Sequence, residues 1–166
     1  MLKYRNPWLM PAILLVTNCV VQSATAGAPP ADVCSLLSAA ELSTTLGQAY
    51  DSPQKSVAPR PFPNTAEGTD CSYRSKSGTQ STVLFRAYFD PSPSAAADLF
   101  TRLSKFYGTP TPVPGLGDVA YVDESHGLHV LKANVRFYIK LDPAVSFTPT
   151  LEKQLRELGG RVSARL

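Results

Sequence analysis

Histidine, cysteine and charge are all scarce in this chain: its 166 residues hold two histidines, three cysteines and only 17% Asp, Glu, Lys and Arg. The spacings that usually mark a catalytic or metal site are missing as well. There is no HExxH or CxxC pair, no G-x-S-x-G elbow, no P-loop and no carboxylate-rich calcium loop. Gly115-Leu116-Gly117 lacks the third glycine and the preceding strand of a dinucleotide-binding turn, so it reads as a turn that needs positive φ angles. Nor does any apolar run reach the roughly 20 residues that cross a bilayer as a helix. The longest, residues 8–21, has 14 residues and is interrupted by Pro11.

That short run has its own meaning. It follows Lys3 and Arg5 and precedes Ser23, Ala24, Thr25 and Ala26, with alanines at the two places a signal peptidase reads. Residues 1–26 are therefore expected to be a secretory signal peptide, cleaved before Gly27, and residues 27–166 a single domain, periplasmic or secreted. The alternative is a lipoprotein anchored through Cys19, although Asn18 stands where a lipobox has a small residue. Removing Lys3 and Arg5 leaves 14 basic residues against 13 acidic ones, a net charge of +1. That is no basis for a nucleic-acid partner, which requires a clustered excess of Lys and Arg. No transmembrane segment is expected in the mature protein.

With 43% apolar residues the domain can build a core, and fifteen prolines call for long irregular connections. Cys34 and Cys71 are the pair left in an oxidising compartment and are expected to form a structural disulfide. Ser38 to Glu41 is a capping box that starts a helix ended by Gly47, with Leu42 and Leu46 on one face. Residues 48–67 read as a long surface loop. Residues 71–76 and 81–90 read as two strands joined through Ser77-Gly78-Thr79. Leu99, Phe100, Leu103 and Tyr107 predict a second helix ending at Gly108, and residues 119–123, 128–131 and 135–141 predict three more strands with a turn at His126-Gly127. Thr148-Pro149 opens a third helix along Leu151, Leu155, Leu158, Val162 and Leu166, in which Gly159-Gly160 is a weak point. The order gives an α+β domain, an antiparallel sheet of about five strands with about three helices on one face.

Three stretches together carry a resemblance: Cys34-Ser35-Leu36-Leu37 leading to Glu41 and Leu46-Gly47, then Cys71-Ser72-Tyr73, then Gly115-Leu116-Gly117-Asp118-Val119-Ala120-Tyr121. In these the chain resembles small exported bacterial proteins of a domain-of-unknown-function type, many of them lipoproteins, with a cysteine-led helix, a cysteine on a strand and a GLGD-x-A-Y turn. The resemblance implies a bacterial exported α+β domain with both cysteines bridged, and it carries over no catalytic residue.

Two groups of residues are candidates for function. Period-two alternation sends Arg86 and Tyr88 to one face, and Arg136, Tyr138 and Lys140 likewise, opposite Val83, Phe85, Val135, Phe137 and Ile139. Cations interleaved with phenols on a face away from the helices suit an anionic or glycan envelope ligand, although such side chains also clothe solvated faces. If the row is solvent-facing, Arg86→Ala with Arg136→Ala should leave the melting temperature nearly unchanged. The second group is His126 and His129, near Asp118, Asp123 and Glu124, where a metal could be held. The first reading is thus a non-catalytic cell-envelope binding or interaction module without a cofactor, its partner an anionic or glycan envelope ligand or an envelope protein. The alternative is a metal-assisted periplasmic hydrolase using His126 and His129.

Overall fold

The computed structural model describes residues 29–77, 81–142 and 148–166. The signal-peptide segment with Cys19, and Gly78 and Thr79 of the expected hairpin tip, lie outside the described residues. A short 3₁₀ turn, Val33–Leu36, leads into α1 (Ala39–Leu46). The strands β1 (Gln54–Ala58), β2 (Gly68–Arg74) and β3 (Thr82–Phe89) follow, then α2 (Pro93–Ser104). After α2 come β4 (Thr111–Pro112), β5 (Val119–Val122), β6 (Leu128–Lys132), β7 (Val135–Asp142) and α3 (Pro149–Ser163). The seven strands form one antiparallel sheet in the order β1-β2-β3-β7-β6-β5-β4. The α+β class is as the sequence predicts, with seven strands instead of five.

Both additional strands lie at the sheet edges. In β1 four of five residues are exposed, so no apolar alternation marks it out from the loop predicted over residues 48–67. In β4 the second residue is Pro112, which lacks the N–H a central strand needs and is tolerated at an edge. The second helix is shorter than predicted. It stops at Ser104, capped at its start by the Ser92 side chain, which leaves Tyr107 beyond its end.

The first face of the sheet holds the main core. Val83, Phe85, Val130, Phe137, Ile139 and Leu128 lie there under Leu42 of α1 and Leu151, Leu155, Leu158 and Val162 of α3. The Ser38–Glu41 capping box forms as its spacing dictates, with Gly47 left-handed at φ 73°. Helix α3 runs unbroken through Gly159-Gly160. Gly159 is required by close approach, since a Cβ there would come within 2.9 Å of Leu128 and 3.1 Å of Leu116. In the Gly115-Leu116-Gly117 turn both glycines have positive φ, 76° and 60°. Cys34 and Cys71 form a disulfide that pins the N-terminal turn to β2. Tyr73 adds to this, donating its hydroxyl to the carbonyls of Cys34 and Leu37.

The helices do not share one face. Ala96 and Phe100 of α2 pack with Tyr121 and Leu131 in a second, smaller cluster. By strand alternation Tyr121 and Leu131 point opposite to Ala120, Val122 and Val130 of the main core. α2 therefore covers part of the second face, and apolar side chains at two outward positions are what it covers.

Candidate functional site

Across the second face, register brings residues from five strands into two adjacent rows. Asp70, Arg86, Tyr138, His129 and Tyr121 are successive cross-strand partners, and beside them run Tyr88, Arg136 and Leu131. All five residues expected from alternation are on this face. Four of them, Arg86, Tyr88, Arg136 and Tyr138, line a cavity of about 190 Å³ with Tyr107, Tyr121, His129, Phe100 and Leu103, roofed by Pro59, Arg60 and Pro61. Lys140 lies outside that cavity, half-buried, and donates to the Ser125 hydroxyl at 3.2 Å.

The row is not the solvated surface the sequence suggests. Arg136 is 3% exposed, and its Nε and Nη2 donate to the two carboxylate oxygens of Asp90 at 2.5 and 3.1 Å. Its guanidinium also lies 4.7 Å from the centre of the Tyr88 ring. Arg86 donates through Nε and Nη2 to Asp70 at 2.6 and 2.8 Å. This leaves its Nη1 group and one Nη2 N–H for other partners. The bond to Asp70 raises the Arg86 pKa further, so the cation is permanent. The Tyr88 hydroxyl is spent on the Pro59 carbonyl at 2.7 Å, which ties the roof to the sheet. On the other side, the Phe62 ring is 5.7 Å from that of Phe106, and Arg102 sits 4.3 Å over Phe62.

His129 is the centre of an aromatic stack. Tyr121 lies 4.7 Å away and nearly parallel, with Tyr107 and Tyr138 at 4.7 and 4.5 Å on tilted planes. Burial lowers the His129 pKa, opposed by its bond to Asp123, so the ring is neutral at pH 7. Asp123 accepts from Ser125 N and Oγ at 2.8 Å each, from Gly127 N at 2.9 Å and from His129 Nε2 at 2.8 Å. Burial works against its ionisation, but these donors outweigh it and hold the carboxyl at about 2. A carboxylate as acceptor assigns the proton to Nε2 and leaves Nδ1 as an acceptor. Burial raises the phenols of Tyr88, Tyr107, Tyr121 and Tyr138, so all four remain protonated donors. Among the described residues, the Tyr121 hydroxyl is buried without a hydrogen-bond partner.

His126 and His129 line different cavities. His126, at φ 64° in the turn, borders a second cavity with Thr109, Glu124 and Glu152. No group of three or more His, Cys, Asp or Glu side chains among the described residues is placed to hold a metal ion.

Sequence reasoning missed Asp70, Asp90, Tyr107, Tyr121 and Phe100 as site residues, and named His129 only in the alternative reading, as a metal ligand with His126. The same period-two alternation applied to β5 and β6 would have added Tyr121 and His129 to the row. Asp90 and Tyr107 lie beyond the ends of their elements, where alternation says nothing. No protein-family model, curated protein or solved structure matches the chain.

Proposed function

We propose that the protein is an exported, non-catalytic binding module of the cell envelope whose ligand occupies the cavity between the second face of the sheet, α2 and the Pro59–Pro61 loop. The composition of the wall carries this reading. Three arginines, four tyrosines and a neutral histidine line the cavity, and no acidic residue does. The carboxylates that balance Arg86 and Arg136 stand behind them. Such a wall suits an anionic or ring-bearing envelope ligand. Export rests on the order of basic, apolar and small residues in positions 1–26. Among the described residues no helix is long and apolar enough to cross a membrane.

The test is a titration of the uniformly ¹⁵N-labelled mature domain with a small-molecule and glycan extract of the cell envelope. Amide shifts are expected around Arg86, Tyr107, Tyr121 and His129. Shifts confined to the first face or to β1 would refute the location.

A metal-assisted hydrolase using His126 and His129 is the second reading, weaker because the two rings border different cavities. Stoichiometric zinc in purified protein, lost on His129→Ala, would reverse the order.

A further inference from the structure

Resting on that reading, we infer that the cavity takes a small planar aromatic carboxylate, with the acid group on Arg86 and the ring among the phenols. Size is the first constraint. A volume of about 190 Å³ is below the roughly 300–1,000 Å³ of drug-sized sites, which leaves room for about one substituted ring.

Charge is the second. Every ionised group in the wall is a guanidinium, and Arg86 is half-buried with the Nη1 edge of its fork unused by Asp70. A fork that holds one carboxylate through Nε and Nη2 can hold a second through Nη1, in the planar geometry that guanidinium and carboxylate share. Arg136 cannot serve in the same way. It is almost fully enclosed and committed to Asp90, so its part is to keep Tyr88 in place beneath it. Arg60 on the roof is exposed and paired with Glu67 at 2.6 Å, so it adds positive potential at the mouth at most.

Shape and polarity are the third. Apart from the arginines, Leu103 and the two prolines of the roof, the wall is aromatic, from Tyr88, Phe100, Tyr107, Tyr121, His129, Phe137 and Tyr138. They favour offset or edge-on contact with another ring. Tyr107 lines the cavity from past the end of α2, 38% exposed and outside both core clusters, with its ring on His129.

The experiment titrates three probes into the ¹⁵N-labelled mature domain: benzoate, benzyl alcohol (the ring without the charge) and acetate (the charge without the ring). Benzoate is expected to shift the cavity amides with an affinity at least about tenfold above either of the others. Arg86→Gln combined with Asp70→Asn removes the pair without stranding a carboxylate. It should bring benzoate down to the level of benzyl alcohol and leave benzyl alcohol unchanged, a loss of about tenfold or more for a charge-assisted bond. Tyr107→Ala should weaken benzoate and benzyl alcohol alike. Acetate or benzyl alcohol binding as tightly as benzoate, or benzoate binding undiminished in the double variant, would overturn the assignment. If benzoate fails while the envelope extract still shifts these amides, the ligand class falls and the cavity stands. If neither shifts them, both fall.

Discussion

Arg136 shows how far one residue can depart from what alternation implies. Its face is given correctly by period two, but its burial depends on Asp90, which lies past the end of β3 and reaches it across 46 positions of chain. Removing one member of a buried ion pair leaves the other charged and enclosed, at a cost of about 3–5 kcal/mol. Arg136→Ala is therefore expected to lower stability by that amount in urea unfolding, whereas the solvated row expected from sequence would lose almost nothing. Tyr121 works in the opposite direction. Its buried hydroxyl has no partner among the described residues, and such a group costs about 1–3 kcal/mol. Tyr121→Phe should accordingly raise the melting temperature by a few degrees, and a lower melting temperature would mean that the hydroxyl is bonded in the folded protein.

At the level of elements, the legible parts are those that bury a regular pattern. The capping box of α1, the leucine spacing of α3 and the alternation in β3 and β7 each put apolar residues on the main core, and each was readable from spacing alone. The edge strands β1 and β4 were not, because an edge strand has a single partner and little to bury. The side on which α2 packs was also hidden. Its own apolar pattern says that it covers something, and only Tyr121 and Leu131, on other strands, say which face.

Stability should depend on pH through the ion pair between α1 and Arg165, two residues past the end of α3. The Glu41 carboxylate accepts from Arg165 as well as from Ser38, and the bond to Arg165, against some opposing burial, holds its pKa down from 4.5 to about 2. Folding lowers this pKa, so the unfolded chain binds the proton more readily. The contribution is complete above pH 4.5 and is lost as the pH falls toward 2. Asp123 loses its contribution in the same way between 3.8 and about 2. His129, also lowered by burial, begins to cost stability earlier, as the pH falls below 6.5. Urea midpoints measured from pH 7 to pH 3 should fall throughout, and Glu41→Gln should flatten the part below pH 4.5.

The whole molecule is a sheet with two unlike faces. One carries the main core under α1 and α3, fastened at its N-terminal side by Cys34–Cys71 across a sequence separation of 37. Closing a loop of that length stabilises by about 3–4 kcal/mol. Replacing both cysteines by alanine should therefore lower the melting temperature of material from an oxidising compartment by about 10 °C. The other face is only partly covered, and the polar and aromatic groups beneath α2 form the proposed ligand site. On the proposed function, this cavity holds a small molecule in the cell envelope. Native mass spectrometry of the protein recovered from the envelope without unfolding tests it most directly. The expected spectrum shows the mature chain beginning at Gly27, carrying a small-molecule adduct that is absent from Arg86→Gln with Asp70→Asn. An unliganded wild-type protein, or an adduct retained undiminished by that variant, would contradict the account.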